Sequence, residues 1–221
     1  MTRNDGRARR VLMVVDVQND FCEGGALGVE GGRAVATGVA ALLTRGVGEY
    51  DAVVVSTDHH RGDTDNGGHF ALEAVPDFLD TWPPHCVVGT PGAALDPSVA
   101  QALEAIDDVP VIRIRKGWGV PAYAATEGST GRPERGEAGA TLPDLVREHG
   151  WADADVVGLA LDYCVRATAE GLADLGMSVR VLPDLTAAVH PEGRDEVLAG
   201  LRRRGIEIAD RSAAPPREDR S

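Results

Sequence analysis

Short apolar, β-branched runs recur along the chain at 11–15, 52–56, 109–114, 155–160, 178–182 and 206–208. Most are apolar at successive rather than alternate positions, the pattern of strands covered on both faces. Between them lie segments whose apolar residues fall at helical spacing. The clearest are 33–47 (Val35, Val39, Leu42, Leu43), 142–149, 163–175 and 192–204. Strands alternating with helices predict an α/β fold: a doubly wound parallel sheet of about six strands, with helices on both faces. The predicted domain runs over 11–210, between a flexible N-terminus (1–10) and a flexible tail (211–221). Both ends are polar and lack the apolar positions that dock a segment on a core.

Two connections depart from this pattern. The stretch 57–95 is rich in Gly, Asp, His and Pro and too long for an idle loop, which marks it as a carrier of function. The stretch 117–140 is similar but blander. Aromatic residues make up only 4% of the chain, so Val, Leu and Ala must build the core. A net charge of −13 argues against nucleic acid or an anionic membrane surface as partner. Cys22, Cys86 and Cys164 are too few and too widely spaced for a disulfide framework, and a reducing cytoplasm is their natural setting. The basic N-terminus ahead of Val11–Val15 superficially resembles a secretion signal, but the apolar run is short and breaks at Asp16. No stretch approaches the roughly 20 apolar residues of a membrane span. The pattern does not set the oligomeric state; a homo-oligomer is compatible with it.

In open parallel sheets, ligands bind at the carboxyl ends of the strands. Strand one ends in Asp16, strand two in Asp58-His59-His60 and strand three in Lys116; the turn after strand four delivers Cys164. A cysteine opening a helix meets free N–H groups and the positive end of the helix dipole, both of which favour a thiolate. A single buried cysteine can equally serve as a small hydrophobe. Its neighbours decide between these readings. Asp16, at the end of a buried strand, needs a partner. It can hydrogen-bond turn amides, or take a proton from Cys164 and hand it to a leaving amine. Lys116 beside both would hold the carboxylate and favour the thiolate.

A second cluster falls in the long connection: Asp58, His59, His60, His69 and His85, with His149 and His190 outside it. Asp-x-His at a strand end sends both side chains the same way, because the strand period is two. Two later histidines could complete a mixed nitrogen and oxygen metal site with room for water. Histidines in Gly-rich loops are also often merely solvated.

Three segments carry a resemblance. Asp16-Val17-Gln18-Asn19-Asp20-Phe21, Trp82-Pro83-Pro84-His85-Cys86-Val87 and Gly158-Leu159-Ala160-Leu161-Asp162-Tyr163-Cys164-Val165-Arg166 resemble signature segments of nicotinamidases of the pyrazinamidase type. These belong to the isochorismatase-like superfamily of cysteine hydrolases, and the similarity runs from about 11 to 208. The resemblance implies a Rossmann-like six-stranded parallel sheet and hydrolysis of nicotinamide to nicotinate and ammonia through a thioester on Cys164. It implies Asp16, Lys116 and Cys164 as catalytic residues, and Asp58, His60, His69 and His85 as ligands of a divalent zinc, iron or manganese ion. It implies a cis Leu159–Ala160 bond, with the N–H groups of Ala160 and Cys164 as oxyanion hole. Phe21, Trp82 and Tyr123 match aromatic positions flanking the substrate ring, although ordinary core packing is the alternative for each.

The chain departs from the family at several places. Tyr123-Ala124-Ala125-Thr126-Glu127-Gly128 replaces the usual segment after the tyrosine, Leu161 stands where a threonine is usual, and the interval from His60 to His69 is longer. The changes spare the triad and ligand positions and touch their surroundings. They motivate a second reading: a sister amidase acting on another carboxamide or lactam, in secondary metabolism.

Overall fold

The computed structural model describes residues 8–209. Six parallel strands form one sheet: β1 (Arg9–Val15), β2 (Ala52–Asp58), β3 (Val111–Lys116), β4 (Trp151–Leu159), β5 (Ser178–Ala187) and β6 (Glu207–Ile208). Their order is β3-β2-β1-β4-β5-β6. The helices are α1 (Gly32–Thr44), α2 (Pro97–Glu104), α3 (Leu142–His149), α4 (Arg166–Asp174) and α5 (Arg194–Arg203). No helix among the described residues is long and apolar enough to cross a membrane.

β1 shows why the apolar runs are continuous. Leu12 and Val14 enter one core with α1 and α2 (Val35, Val39, Leu43, Val99, Leu103). Val11, Met13 and Val15 enter the other with α3, α4 and α5 (Leu142, Val146, Leu172, Leu198, Leu201). With a period of two and a core on each face, no position from Val11 to Val15 is left for a polar side chain.

The prediction and the structure differ at some boundaries. α2 follows the long 57–95 connection and is not among the segments whose spacing predicts a helix; Asp96 caps it by accepting from the Ser98 N–H, and Pro97 fits its first turn. β5 runs on to Ala187, five residues beyond the apolar run that marks it. α3 stands where predicted, between Thr141, whose side chain accepts from the Asp144 N–H, and Gly150, which is left-handed at φ 63°. Of the ends expected to be flexible, residues 1–7 and 211–221 lie outside the described residues, while Arg9 and Arg10 pair in β1.

The strand order reverses beside β1, where β2 follows on one side and β4 on the other. This is the switch point at which open α/β sheets leave a crevice.

Candidate active site

Sheet register assembles the site. β2 and β3 pair Asp58 with Lys116 directly. β1 pairs Val15 with Ser56 on one side and with Gly158 on the other. Gly158 has φ 118°, and a Cβ there would lie 2.0 Å from the Val15 carbonyl oxygen, so only glycine lets β4 come this close to β1. The Leu159–Ala160 peptide that follows is cis. Leu161–Val165 then forms a π-helical turn carrying Cys164, and α4 begins at Arg166. Cys164 therefore stands one turn before the α-helix, not in its first turn.

Asp16, Lys116 and Cys164 meet in a buried cluster. The Lys116 ammonium lies 2.9 Å from Asp16 Oδ2 and donates to Cys164 Sγ at 3.5 Å and to the Ala122 carbonyl at 3.3 Å. It also pairs closely with Asp58 Oδ1. Ser56 Oγ donates to Asp16 Oδ1 at 2.7 Å. Burial, opposed by Lys116 and reinforced by Asp58, raises the proton affinity of Asp16. Burial works the other way on Lys116, but Asp16 and Asp58 outweigh it and keep the ammonium charged.

The thiol corrects the sequence-based expectation of a favoured thiolate. Burial pushes Cys164 well above the ordinary cysteine value; Lys116 pulls it down, and Asp16 and Asp58 push it further up. Cys164 thus rests as a thiol beside a carboxylate of raised basicity, an arrangement suited to transferring the proton during reaction rather than storing a thiolate.

The second cluster comes together from the long connection by backbone pairing. His60 N–H bonds the Cys86 carbonyl at 3.2 Å, and Trp82 N–H bonds the His69 carbonyl at 3.0 Å. The ligand atoms of His60, His69 and His85 lie within 4.8 Å of one another. Asp58 Oδ2 is 3.7 Å from His60 Nε2 and 3.6 Å from His85 Nε2. His60 Nδ1 bonds the Gly117 carbonyl and His85 Nδ1 the Pro83 carbonyl, each at 2.8 Å. These bonds fix the tautomers and turn both Nε2 lone pairs inward. Burial drives His69 down to about 3, so its imidazole is neutral at physiological pH. Lys116, with His60 and His85 behind it, overrides burial at Asp58 and holds that carboxyl well below its usual range.

Among the described residues, three buried side-chain atoms lack a hydrogen bond: His60 Nε2, His69 Nδ1 and Asp16 Oδ2, the last of which keeps its ion pair with Lys116. All three belong to this site. Imidazole nitrogens without hydrogen-bond partners, gathered beside a carboxylate, are the donor set a divalent transition metal takes. His59 turns away, with Nε2 2.7 Å from Glu134 Oε2 and its ring against Trp118.

A cavity of about 340 Å³, including its open mouth, joins the two clusters. Phe21, Trp82 and Tyr123 line it, with Asp58, His69, His85, Ala160 and Cys164. Trp82 Nε1–H donates to the Tyr123 hydroxyl at 3.0 Å, which locks two walls together. Leu27, Tyr163 and Val189 also line the cavity and were not anticipated. Gln18 is a further unanticipated part: its amide accepts from the Asp58 N–H at 2.8 Å and donates to the Asp58 carbonyl at 2.9 Å. Ser56 had a visible signal, a polar residue after Val53-Val54-Val55 in a strand otherwise read as core.

The fold and site define a parallel α/β protein with a cysteine, a carboxylate and an ammonium at the switch point. The chain belongs to the isochorismatase family, whose domain model matches residues 10–213. It is 41% identical over 200 residues to the nicotinamidase/pyrazinamidase of Mycobacterium tuberculosis, covering 90% of this chain and 97% of the relative. The structure of PnC1 from L. infantum in complex with nicotinate superposes with a TM-score of 0.73 at 31% identity, covering 93% of this chain and 94% of the other. The pyrazinamidase of Pyrococcus horikoshii in complex with zinc superposes with a TM-score of 0.68 at 27% identity, covering 91% and 99%.

Proposed function

We propose that this protein is an amidohydrolase that converts nicotinamide to nicotinate and ammonia, a reaction of pyridine-nucleotide salvage. The observation that carries the reading is that Cys164 opens onto a cavity walled by Phe21, Trp82 and Tyr123, with Lys116 behind the sulfur bridging it to Asp16. A narrow aromatic slot ending in a thiol suits a flat ring bearing a carboxamide.

In the proposed reaction, Asp16 takes the Cys164 proton as the sulfur attacks the carboxamide carbon. The backbone N–H groups of Ala160 and Cys164 hold the oxyanion. Asp16 returns the proton to the amide nitrogen, the C–N bond breaks, and ammonia leaves a thioester on Cys164. Asp16 then takes a proton from water as the water attacks that thioester, nicotinate leaves, and the proton returns to sulfur. Lys116 keeps Asp16 ionised at the start of each turn and neutralises the site's second carboxylate, Asp58.

Asp58, His60, His69 and His85 would hold a divalent metal, which supplies Lewis acidity toward a ring nitrogen or a water when bound. The zinc in the P. horikoshii protein favours zinc over iron or manganese for the matching residues here. Three free cysteines are in keeping with a cytoplasmic setting.

The altered segment after Tyr123 motivates the sister-amidase alternative, but Tyr123 still reaches the cavity and accepts from Trp82. A kcat/KM comparison across ring and acyclic amides decides between them. Nicotinamide should be among the best substrates. A very low value for nicotinamide beside a better carboxamide or lactam would replace it with the alternative.

A further inference from the structure

His190 lies outside both clusters, yet it is tied to the turn that carries the nucleophile. The Asp162 carboxylate accepts from the Val189 and His190 N–H groups, each at 2.9 Å. The Phe78 carbonyl accepts from the Tyr163 hydroxyl and from His190 Nε2, each at 3.2 Å, which sets the His190 tautomer as Nε2–H. Phe78 is left-handed, with φ 58°. Its turn is preformed, because Asp77 Oδ1 accepts from the N–H groups of Leu79, Asp80 and Thr81. The Phe78 ring stands edge-on to Trp82 at 6.3 Å, and Trp82 stands edge-on to Tyr163 at 4.8 Å. Trp82, Tyr163 and Val189 are cavity walls, while Phe78 and His190 contact Trp82 and Tyr163 without lining the cavity.

We propose that His190 is a positioning residue for substrate selection: with Tyr163 it fastens the 77–82 turn behind Trp82 and thereby limits the acyl group to about one flat ring. This rests on the amidase reading of the cavity. Two bonds converging on one carbonyl hold the turn, and the turn holds the indole. With His190 removed, the Trp82 wall gains freedom to yield to a wider ring system. The chemistry at Cys164 does not involve His190.

The test compares wild type, His190→Ala and His190→Gln on nicotinamide and on its benzo-fused analogue, quinoline-3-carboxamide. In His190→Ala the kcat/KM ratio of the bicyclic to the monocyclic amide should rise by about tenfold, the scale that small pocket contacts command. The rise should come through a lower KM for the bicycle. His190→Gln keeps an N–H donor for the Phe78 carbonyl and should stay near wild type. Tyr163→Phe, which loses only the hydroxyl, should move the ratio in the same direction as His190→Ala. An unchanged ratio in His190→Ala, or an equal loss on both amides, overturns the proposal. A wild type inert on both amides overturns the nicotinamide reading on which the proposal rests.

Discussion

Cys164 and Asp16 illustrate how position outweighs residue type. Each is ionisable, each is buried, and burial raises the proton affinity of both. What differs is the partner set, since Asp16 holds Ser56 and Lys116 while Cys164 has a single donor at 3.5 Å. As the proposed base, Asp16 must be ionised to act, so activity should fall on the acid side as it takes up a proton. The raised affinity places that limb above the ordinary carboxylate value of 3.8. The Ser56 bond lowers the Asp16 value, and Ser56→Ala should therefore move the acid limb of kcat/KM upward. The expected shift is about one pH unit, the worth of one hydrogen bond to a charge. A pH–rate profile of the two proteins checks this, and a limb that stays in place or moves down contradicts it.

At the scale of elements, strand ends and loop pairings decide which residues meet. Gly117 follows β3 with φ 87°, and a Cβ there would lie 2.5 Å from His60 Cε1. Its carbonyl also receives the His60 Nδ1 bond. Gly117→Ala should displace His60 and weaken metal binding about 10- to 100-fold, the usual cost of disturbing a ligand's support. Metal content after dialysis against a graded chelator measures it; retention equal to wild type would count against the assigned ligand set. The strand-end residues of this site were legible in the sequence, because Asp16, Asp58 and Lys116 each end an apolar run and a parallel sheet gathers such ends on one edge. Gln18 was not. Its grip on Asp58 depends on β1 and β2 being neighbours, a fact of topology rather than of local pattern. The raised thiol of Cys164 was likewise illegible, since a helix start alone suggests the opposite and only the packed surroundings show burial winning. Tyr163 and Val189 reach the cavity from separate elements, and neither has a periodic signal that says so.

For the whole molecule, two dependences of stability follow. A metal held by the proposed ligands would bind the folded chain alone, so its removal should cost about 3–4 kcal/mol if free metal is at 100 to 1,000 times its dissociation constant. Chelation should accordingly lower both the unfolding temperature and amide turnover, and re-addition should restore both. At the opposite edge of the sheet, Tyr50 donates to Asp155 Oδ2 at 2.8 Å, and Arg180 pairs with the same carboxylate. Burial, with Asp155 adding to it, raises the Tyr50 hydroxyl far above its ordinary value of 10.0. In the unfolded chain that hydroxyl ionises near 10, and in the folded chain it does not. Its stabilisation is therefore full below pH 10 and drains away as the pH climbs toward the folded-state value. Tyr50→Phe should lose about 1–3 kcal/mol at neutral pH. It should also show a shallower decline above pH 10. Denaturant melts across pH measure both, and parallel alkaline declines in the two proteins would show that Tyr50 is not the group responsible.

Ammonia release from nicotinamide by metal-replete wild type and by Cys164→Ala is the most direct measurement. Wild type should release ammonia and nicotinate in equal amounts. Cys164→Ala should fold normally, with turnover lower by on the order of 10⁴ or more, as expected for loss of a nucleophile. Turnover of the alanine variant close to wild type, or a metal-replete wild type that releases no ammonia from nicotinamide, would contradict a nicotinamidase acting through Cys164.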